Sequence, residues 1–138
     1  MIAYLDSSVL LRIVLREPGV LQEWNSIRTG VASAILEVEC LRAIDRLRIR
    51  KGLTDGQVSS LREALYRLIS GMSLVELDRP ILARASEPLS TTLGTLDAIH
   101  LASALFWREQ SEAVLTMATH DSALGLASRA YGFPVVGI

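Results

Sequence analysis

One cysteine and one lysine stand among 138 residues, no apolar run nears the length of a membrane span, and positive charge is not in excess. Each absence removes a class. The single thiol, Cys40, excludes an internal disulfide and any cysteine-rich zinc site. It lies in an apolar helical stretch and reads as core filler, the usual role of a free cysteine. A membrane helix needs about 20 consecutive apolar residues, so the 50% of residues that are hydrophobic are expected in a globular core. No basic segment precedes a long apolar stretch with a small-residue cleavage site. A secretory signal is therefore not expected, and a cytoplasmic location without membrane attachment is the default. With 14 Lys and Arg against 15 Asp and Glu, the formal charge of -1 argues against a simple polybasic grip on nucleic acid. The length suits one domain, residues 1–138, because two cores would leave each half marginal.

What basic charge there is takes one form: every cationic side chain except Lys51 is an arginine. The planar guanidinium fork suits phosphate and carboxylate, which is compatible with an RNA substrate or an acidic partner. Codon usage in a GC-rich genome produces the same bias.

Read along the chain, short apolar runs alternate with helical patterns. Ile2–Leu5 is of strand type, and Asp6, Ser7 and Ser8 are turn and cap residues before a helix over Val9–Leu15. Pro18 and Gly19 break that helix, a second is expected over Val20–Ile27, and a short strand near Val31–Ser33 follows. From Ala34 to Arg50 no Gly or Pro occurs, and Leu36, Cys40, Ala43 and Leu47 recur at helical spacing, predicting a long helix that ends at Gly52. Thr54 and Asp55 cap an amphipathic helix with Val58, Leu61, Leu65, Leu68 and Met72 on one face. Leu74–Leu77 reads as a strand, Pro80 opens a helix to about Glu87, and a polar loop over Ser90–Thr95 delivers Asp97 to the head of another. Val114–Ala118, a helix over Ser122–Tyr131 and a last strand at Val135–Val136 complete the chain. No internal repeat, low-complexity tract or linker interrupts it. The alternation, with strands apolar throughout, predicts an α/β fold whose mainly parallel sheet is covered on both faces, with any site outside the carboxyl ends of the strands.

Four acids fall at that rim. Asp6 and Asp121 follow strands, Asp97 begins a helix after a loop, and Glu39 lies about one and a half turns into the helix after the second strand. Capping or helix-dipole effects account for any one of them alone; their conjunction points further. Four carboxylates gathered without cationic partners repel unless a divalent cation neutralises them. Hard oxygen ligands suit Mg²⁺ or Mn²⁺ over zinc. Such ions lower the pKa of a bound water and stabilise a leaving oxygen in phosphodiester hydrolysis, so no protein nucleophile is needed.

These residues resemble the PIN-domain family, and within it the VapC-type toxins of toxin–antitoxin pairs. The opening Tyr4, Leu5, Asp6, Ser7, Ser8, Val9 is similar to the family's first-strand motif; Ala32 and Ser33 followed by Val38, Glu39 and Arg42 is similar to its second. Leu96, Asp97, Ala98, Ile99, His100, Leu101, Ala102, Ser103, Ala104 resembles the third-acid helix, the most specific of the four matches. Thr119, His120, Asp121, Ser122, Ala123, Leu124 resembles the fourth. The resemblance implies a three-layer α/β/α sandwich and a Mg²⁺- or Mn²⁺-dependent endoribonuclease, the toxin of a type II pair. It also implies a cognate antitoxin over the site, a homodimer, and Asp6, Glu39, Asp97 and Asp121 as catalytic metal ligands. One departure is His120, where an aromatic such as Tyr is frequent in relatives; substrate choice is the property it is expected to affect.

Neighbouring residues carry two readings each. Ser7 and Thr119 flank acids and are placed either to orient a ligating carboxylate or to serve capping and packing. Arg42 and Arg46 share a helix face with Glu39, suited to RNA phosphate, to an antitoxin's acidic tail, or simply to solvent. His100, three residues after Asp97, reads as a ligand, a proton shuttle or a plain helical histidine; His120, beside Asp121, as a substrate contact. Trp24 and Trp107 follow helical spacing with apolar neighbours, which favours core or subunit contact over base stacking. An aspartyl-phosphate hydrolase would carry a second acid where Ser8 stands, and a receiver module would carry a lysine at a late strand end. The remaining rival is a PIN-like domain that binds RNA or protein without cutting.

Overall fold

The computed structural model covers Met1–Ile138 and alternates strands with helices as the sequence pattern requires. Strand β1 (Ile2–Leu5) leads into helix α1 (Ser7–Val14), and β2 (Thr29–Ser33) into α2 (Ile35–Lys51) and α3 (Asp55–Ser70). Then β3 (Met72–Val75) precedes α4 (Arg79–Ala85) and α5 (Thr95–Ser111), β4 (Leu115–Ala118) precedes α6 (Ser122–Ala130), and β5 (Val135–Val136) is last. The boundaries have local causes. Asp6, Thr54, Asp78 and Asp121 each accept a backbone N–H at a helix start through a side-chain oxygen, and Gln57 returns the bond to Thr54 in a capping box. Pro80 sits in the first turn of α4, and Gly52 stops α2 in the left-handed conformation.

The sheet runs β3-β2-β1-β4-β5 with every pairing parallel, so the expected mainly parallel sheet is wholly so. The chain builds outward from β1 as far as β3, then crosses to the other side of β1 for β4 and β5. Helices made on the first leg cover one face and those made on the second leg cover the other. Ala3, Leu5 and Ala32 pack with Val9, Leu10, Leu36, Cys40 and Leu65 of α1–α3. Tyr4, Val31, Leu115 and Met117 pack with Ile81, Leu101, Leu105 and Leu124 of α4–α6. Successive strand residues point to opposite faces, and here both faces are core. That explains strands that are nearly continuous in apolar residues, and it makes the three-layer α/β/α sandwich. No helix is long and apolar enough to cross a membrane.

Two expectations need correction. Val20–Ile27 is not an α-helix; only a 3₁₀ turn over Trp24–Ser26 forms. Leu21, Trp24 and Ile27, three residues apart, all pack into the first core cluster, and a three-residue turn satisfies that spacing. Backbone bonds from the Met1 amino group to Ser26 and from Arg28 N–H to Met1 draw it out beside β1 instead. The third strand is Met72–Val75, shifted from the expected Leu74–Leu77, and Met72 belongs to the sheet and not to the helix before it. It pairs with Gly30, where an added Cβ would stand only 3.2 Å from Met72 Cγ, so the thioether fills space that the glycine leaves.

The chain's last turn is seated on the loop that follows β4. Gly137 has φ +98, and a Cβ there would lie 2.4 Å from the Thr119 carbonyl oxygen; Gly52, at φ +64, has nothing within 4 Å of the same position. In urea unfolding, Gly52→Ala is expected to cost about 1 kcal/mol, a left-handed alanine in open space. Gly137→Ala should cost about 2–4 kcal/mol, because overpacking against backbone adds to the strain. Equal losses would mean that the terminal segment does not press on that loop.

Candidate active site

The order of the sheet reverses between β1 and β4, and parallel sheets open a crevice outside the carboxyl ends of the strands at such a point. Asp6 follows β1 directly, and Asp121 stands three residues past the end of β4, whose Ala118 is paired with Leu5. The two loops are stitched together by hydroxyls. Asp6 Oδ1 accepts the Ser8 N–H at 2.6 Å and the Ser8 hydroxyl at 2.5 Å, while Oδ2 accepts the buried Thr119 hydroxyl. The same Thr119 oxygen accepts the Asp121 N–H at 2.9 Å, and Ser8 Oγ accepts the His120 N–H at 2.9 Å. Asp121 Oδ1 accepts the Leu124 N–H at 2.9 Å. Capping and gathering are thus done by the same side chains, one oxygen of Asp6 and one of Asp121 being given to a helix start.

Glu39 enters from α2, its side chain only 15% exposed, and its Oε2 accepts a hydrogen bond from His100 Nε2 at 2.6 Å. Asp97 lies in the first turn of α5, where Gly94 supplies no side-chain cap, and no protein group donates to its carboxylate. Burial pushes its pKa up, and the charges of Asp121, Asp6 and Glu39 push it further; His100 opposes them. All four acids line one cleft of about 440 Å³ with Ser7, Ser8 and the Gly94–Leu96 turn. The arginine ion pairs lie elsewhere, at Asp45, Glu63 and Glu109, so no guanidinium or ammonium is paired with any of the four. No three of these side chains converge closely enough to form a finished ion cage. The cleft offers instead several carboxylate oxygens, both of Asp97 among them, to which no protein group donates.

The neighbouring candidates separate. Thr119 contacts Asp6 as a ligand-orienting residue would. Ser7 lines the cleft, but it is Ser8 that bonds Asp6. The cap geometry explains this: an N-cap carboxylate accepts the N–H two residues on, and the hydroxyl of that residue comes with it. The His120 ring turns away from the cleft, its Nδ1–H donating to the Gly137 carbonyl at 2.8 Å, so only its backbone takes part in the loop stitching. Arg42 is exposed and lies 3.6 Å from Asp45; it does not line the cleft. Trp24 and Trp107 pack against the two core clusters.

Residues 3–124 match the family model of the PIN domain. The chain belongs to the PIN-domain family. Among its relatives is Ribonuclease VapC46 of Mycobacterium tuberculosis, 31% identical over 136 residues that cover 96% of this chain and 95% of that one. Solved structures with the same PIN fold include VapBC2 from Rickettsia felis bound to a DNA fragment from their promoter, with TM-score 0.67, 13% identity and coverage of 98% of this chain and 97% of that one. A toxin–antitoxin complex from Klebsiella pneumoniae has TM-score 0.63 at 15% identity, covering 88% of each chain.

The crowding around Asp97 gives this PIN domain a measurable pH signature. Its folded pKa lies above that of the unfolded chain, so its contribution to stability is full below the ordinary aspartate range near pH 4 and is lost as pH rises through the raised value. In EDTA at neutral pH, Asp97→Asn is therefore expected to melt higher than wild type, and the gap should close as pH falls toward 4. Thermal scans across that range check it; an asparagine variant that melts lower at neutral pH would remove the repulsion from the account.

Proposed function

We propose that this PIN domain is a divalent-cation-dependent endoribonuclease that acts as the toxin of a type II toxin–antitoxin pair, with residues 1–138 forming one catalytic domain in the cytoplasm. The observation that carries the reading is that four acids, from β1, α2, α5 and the loop after β4, line one cleft with no guanidinium or ammonium paired to them. Asp6, Glu39, Asp97 and Asp121 would hold the ion, and their oxygen chemistry fits Mg²⁺ or Mn²⁺. Such an ion supplies an acidified water and neutralises charge on the phosphate.

The protein's own contribution is positional. Ser8 and Thr119 fix both oxygens of Asp6, Thr119 also places the backbone of Asp121, and Asp97 presents a carboxylate that no protein donor has claimed. With the acids neutralised by such an ion, the cleft would admit a phosphodiester that four bare carboxylates would repel. The reaction class follows the relative named as a ribonuclease. RNA is accordingly the proposed substrate. A cognate antitoxin follows the toxin–antitoxin complex whose fold this chain shares, and a homodimeric working state is proposed from the resemblance to VapC-type toxins.

The test is cleavage of a total RNA pool by purified, antitoxin-free wild type and Asp97→Asn in Mg²⁺, Mn²⁺ or EDTA. Wild type should cut only with metal. The variant should lose at least about 100-fold in rate, since even the outer partners of metal ligands are worth roughly 10- to 100-fold. Equal cutting by the two proteins, or cutting in EDTA, would show the site to be wrongly assigned. Binding of Mn²⁺ without cleavage would select a PIN-like module that binds and does not cut.

A further inference from the structure

The interior beneath the cleft holds a polar chain that the proposed chemistry does not use directly. His100 is 1% exposed on α5, in a run from Ala98 to Leu105 that is buried throughout. A histidine in such surroundings needs a partner for each ring nitrogen. Nδ1 lies 2.9 Å from the hydroxyl of Tyr4, itself fully buried on β1, and Nε2 lies 2.6 Å from Glu39 Oε2. The two rings meet edge-on, with centroids 5.9 Å apart and planes at 79°. The phenol oxygen also accepts the Ser33 N–H at 3.1 Å, from the end of β2.

Those contacts determine the proton. A carboxylate only accepts, so the contact with Glu39 Oε2 places a hydrogen on Nε2, and Nδ1 of a singly protonated ring is left to accept from the Tyr4 hydroxyl. Desolvation raises the Tyr4 pKa well above its ordinary value, so the phenol keeps the hydrogen this arrangement requires. The chain links each element that brings an acid from outside the β4 loop: Tyr4 stands two residues before Asp6, His100 three after Asp97, and Glu39 is the acceptor.

We propose that His100, held in its Nε2–H tautomer by the Tyr4 hydroxyl, is a positioning residue that engages Oε2 of Glu39 and leaves Oε1 as the oxygen available to a divalent cation. This rests on the metal-site reading above. It follows a general pattern in which the hydrogen bond at one ring nitrogen dictates the role of the other, and the partner of a ligating carboxylate sets its orientation.

The experiment is a calorimetric Mn²⁺ titration of the purified full chain as wild type, Asp97→Asn, His100→Leu, His100→Gln and Tyr4→Phe, each confirmed as folded by circular dichroism. It is paired with ¹⁵N NMR of the histidine rings. The glutamine amide can offer an N–H near the position of Nε2, whereas leucine cannot. His100→Leu should weaken Mn²⁺ binding about 10- to 100-fold, with His100→Gln recovering most of it. Wild type should show a protonated Nε2 and a bare Nδ1 at His100, and Tyr4→Phe should disturb that pattern and weaken binding. A wild type that binds no Mn²⁺ overturns the metal reading and this inference together. If wild type binds and Asp97→Asn does not, while His100→Leu binds as tightly as wild type, the metal site stands and the role given to His100 is overturned. Should His100→Leu not fold, an unchanged affinity and ring spectrum in Tyr4→Phe overturns it.

Discussion

Like charges in a partly buried cleft repel, and four acids line one cleft here with no guanidinium or ammonium paired to any of them. Everything around that cleft is arranged to tolerate this repulsion without discharging it. Neutral donors do the holding: the Ser8 and Thr119 hydroxyls and the N–H groups of Ser8 and Leu124. An arginine would stabilise the acids more cheaply in the metal-free protein, but it would also occupy the oxygens and cancel the charge that attracts a cation. Dipoles fix geometry and leave the net charge in place.

The arrangement depends on β1 more than on any other element. Its residues alternate between layers, Ala3 and Leu5 toward α1–α3 and Tyr4 toward α4–α6. Through that alternation a strand of four residues joins both cores and still ends in Asp6 at the rim. Its neighbours are β2 and β4, the two directions in which the chain was wound. Loops from both legs therefore meet at its carboxyl end. The Glu39–His100 bond joins a helix of one layer to a helix of the other past the strand ends, so the two halves of the sandwich are tied together at the cleft itself.

Much of this was legible in the sequence because it rests on local rules. Strand apolarity, cap residues and Gly or Pro stops act over a few positions, and they place Asp6, Asp97 and Asp121 at the same rim. What was not legible depends on partners distant in sequence. The segment Val20–Ile27 has an apolar pattern that a helix and a 3₁₀ turn both satisfy, and the bonds that Met1 makes with Ser26 and Arg28 decide between them. His100 showed a helical spacing from Asp97, but Tyr4 is 96 residues away and Glu39 is 61, and no local pattern names them. His120 was read from its place beside Asp121; the ring instead follows the Gly137 carbonyl, which only the seating of the last strand brings near. Ser8 could have been found, since cap geometry favours it over Ser7.

The four acids also differ in how much of their placement the fold explains. Asp6 and Asp121 cap α1 and α6, and Glu39 satisfies a buried histidine, so each has a structural reason to be acidic. Asp97 has little. Its helix starts from Gly94, its carboxylate accepts nothing from the protein, and its surroundings disfavour its charge. The dipole of α5 gives it about 0.3–1 kcal/mol under ordinary exposed conditions, and burial together with the charge of Asp121 still leaves its pKa raised. An asparagine would fit the same first turn without that opposition. On the proposed function this acid has a reason that the fold does not supply, since a divalent cation would match the excess charge. Capping accounts for Asp6 and Asp121 and a buried histidine for Glu39; Asp97 is the acid for which the proposed cation is the remaining reason.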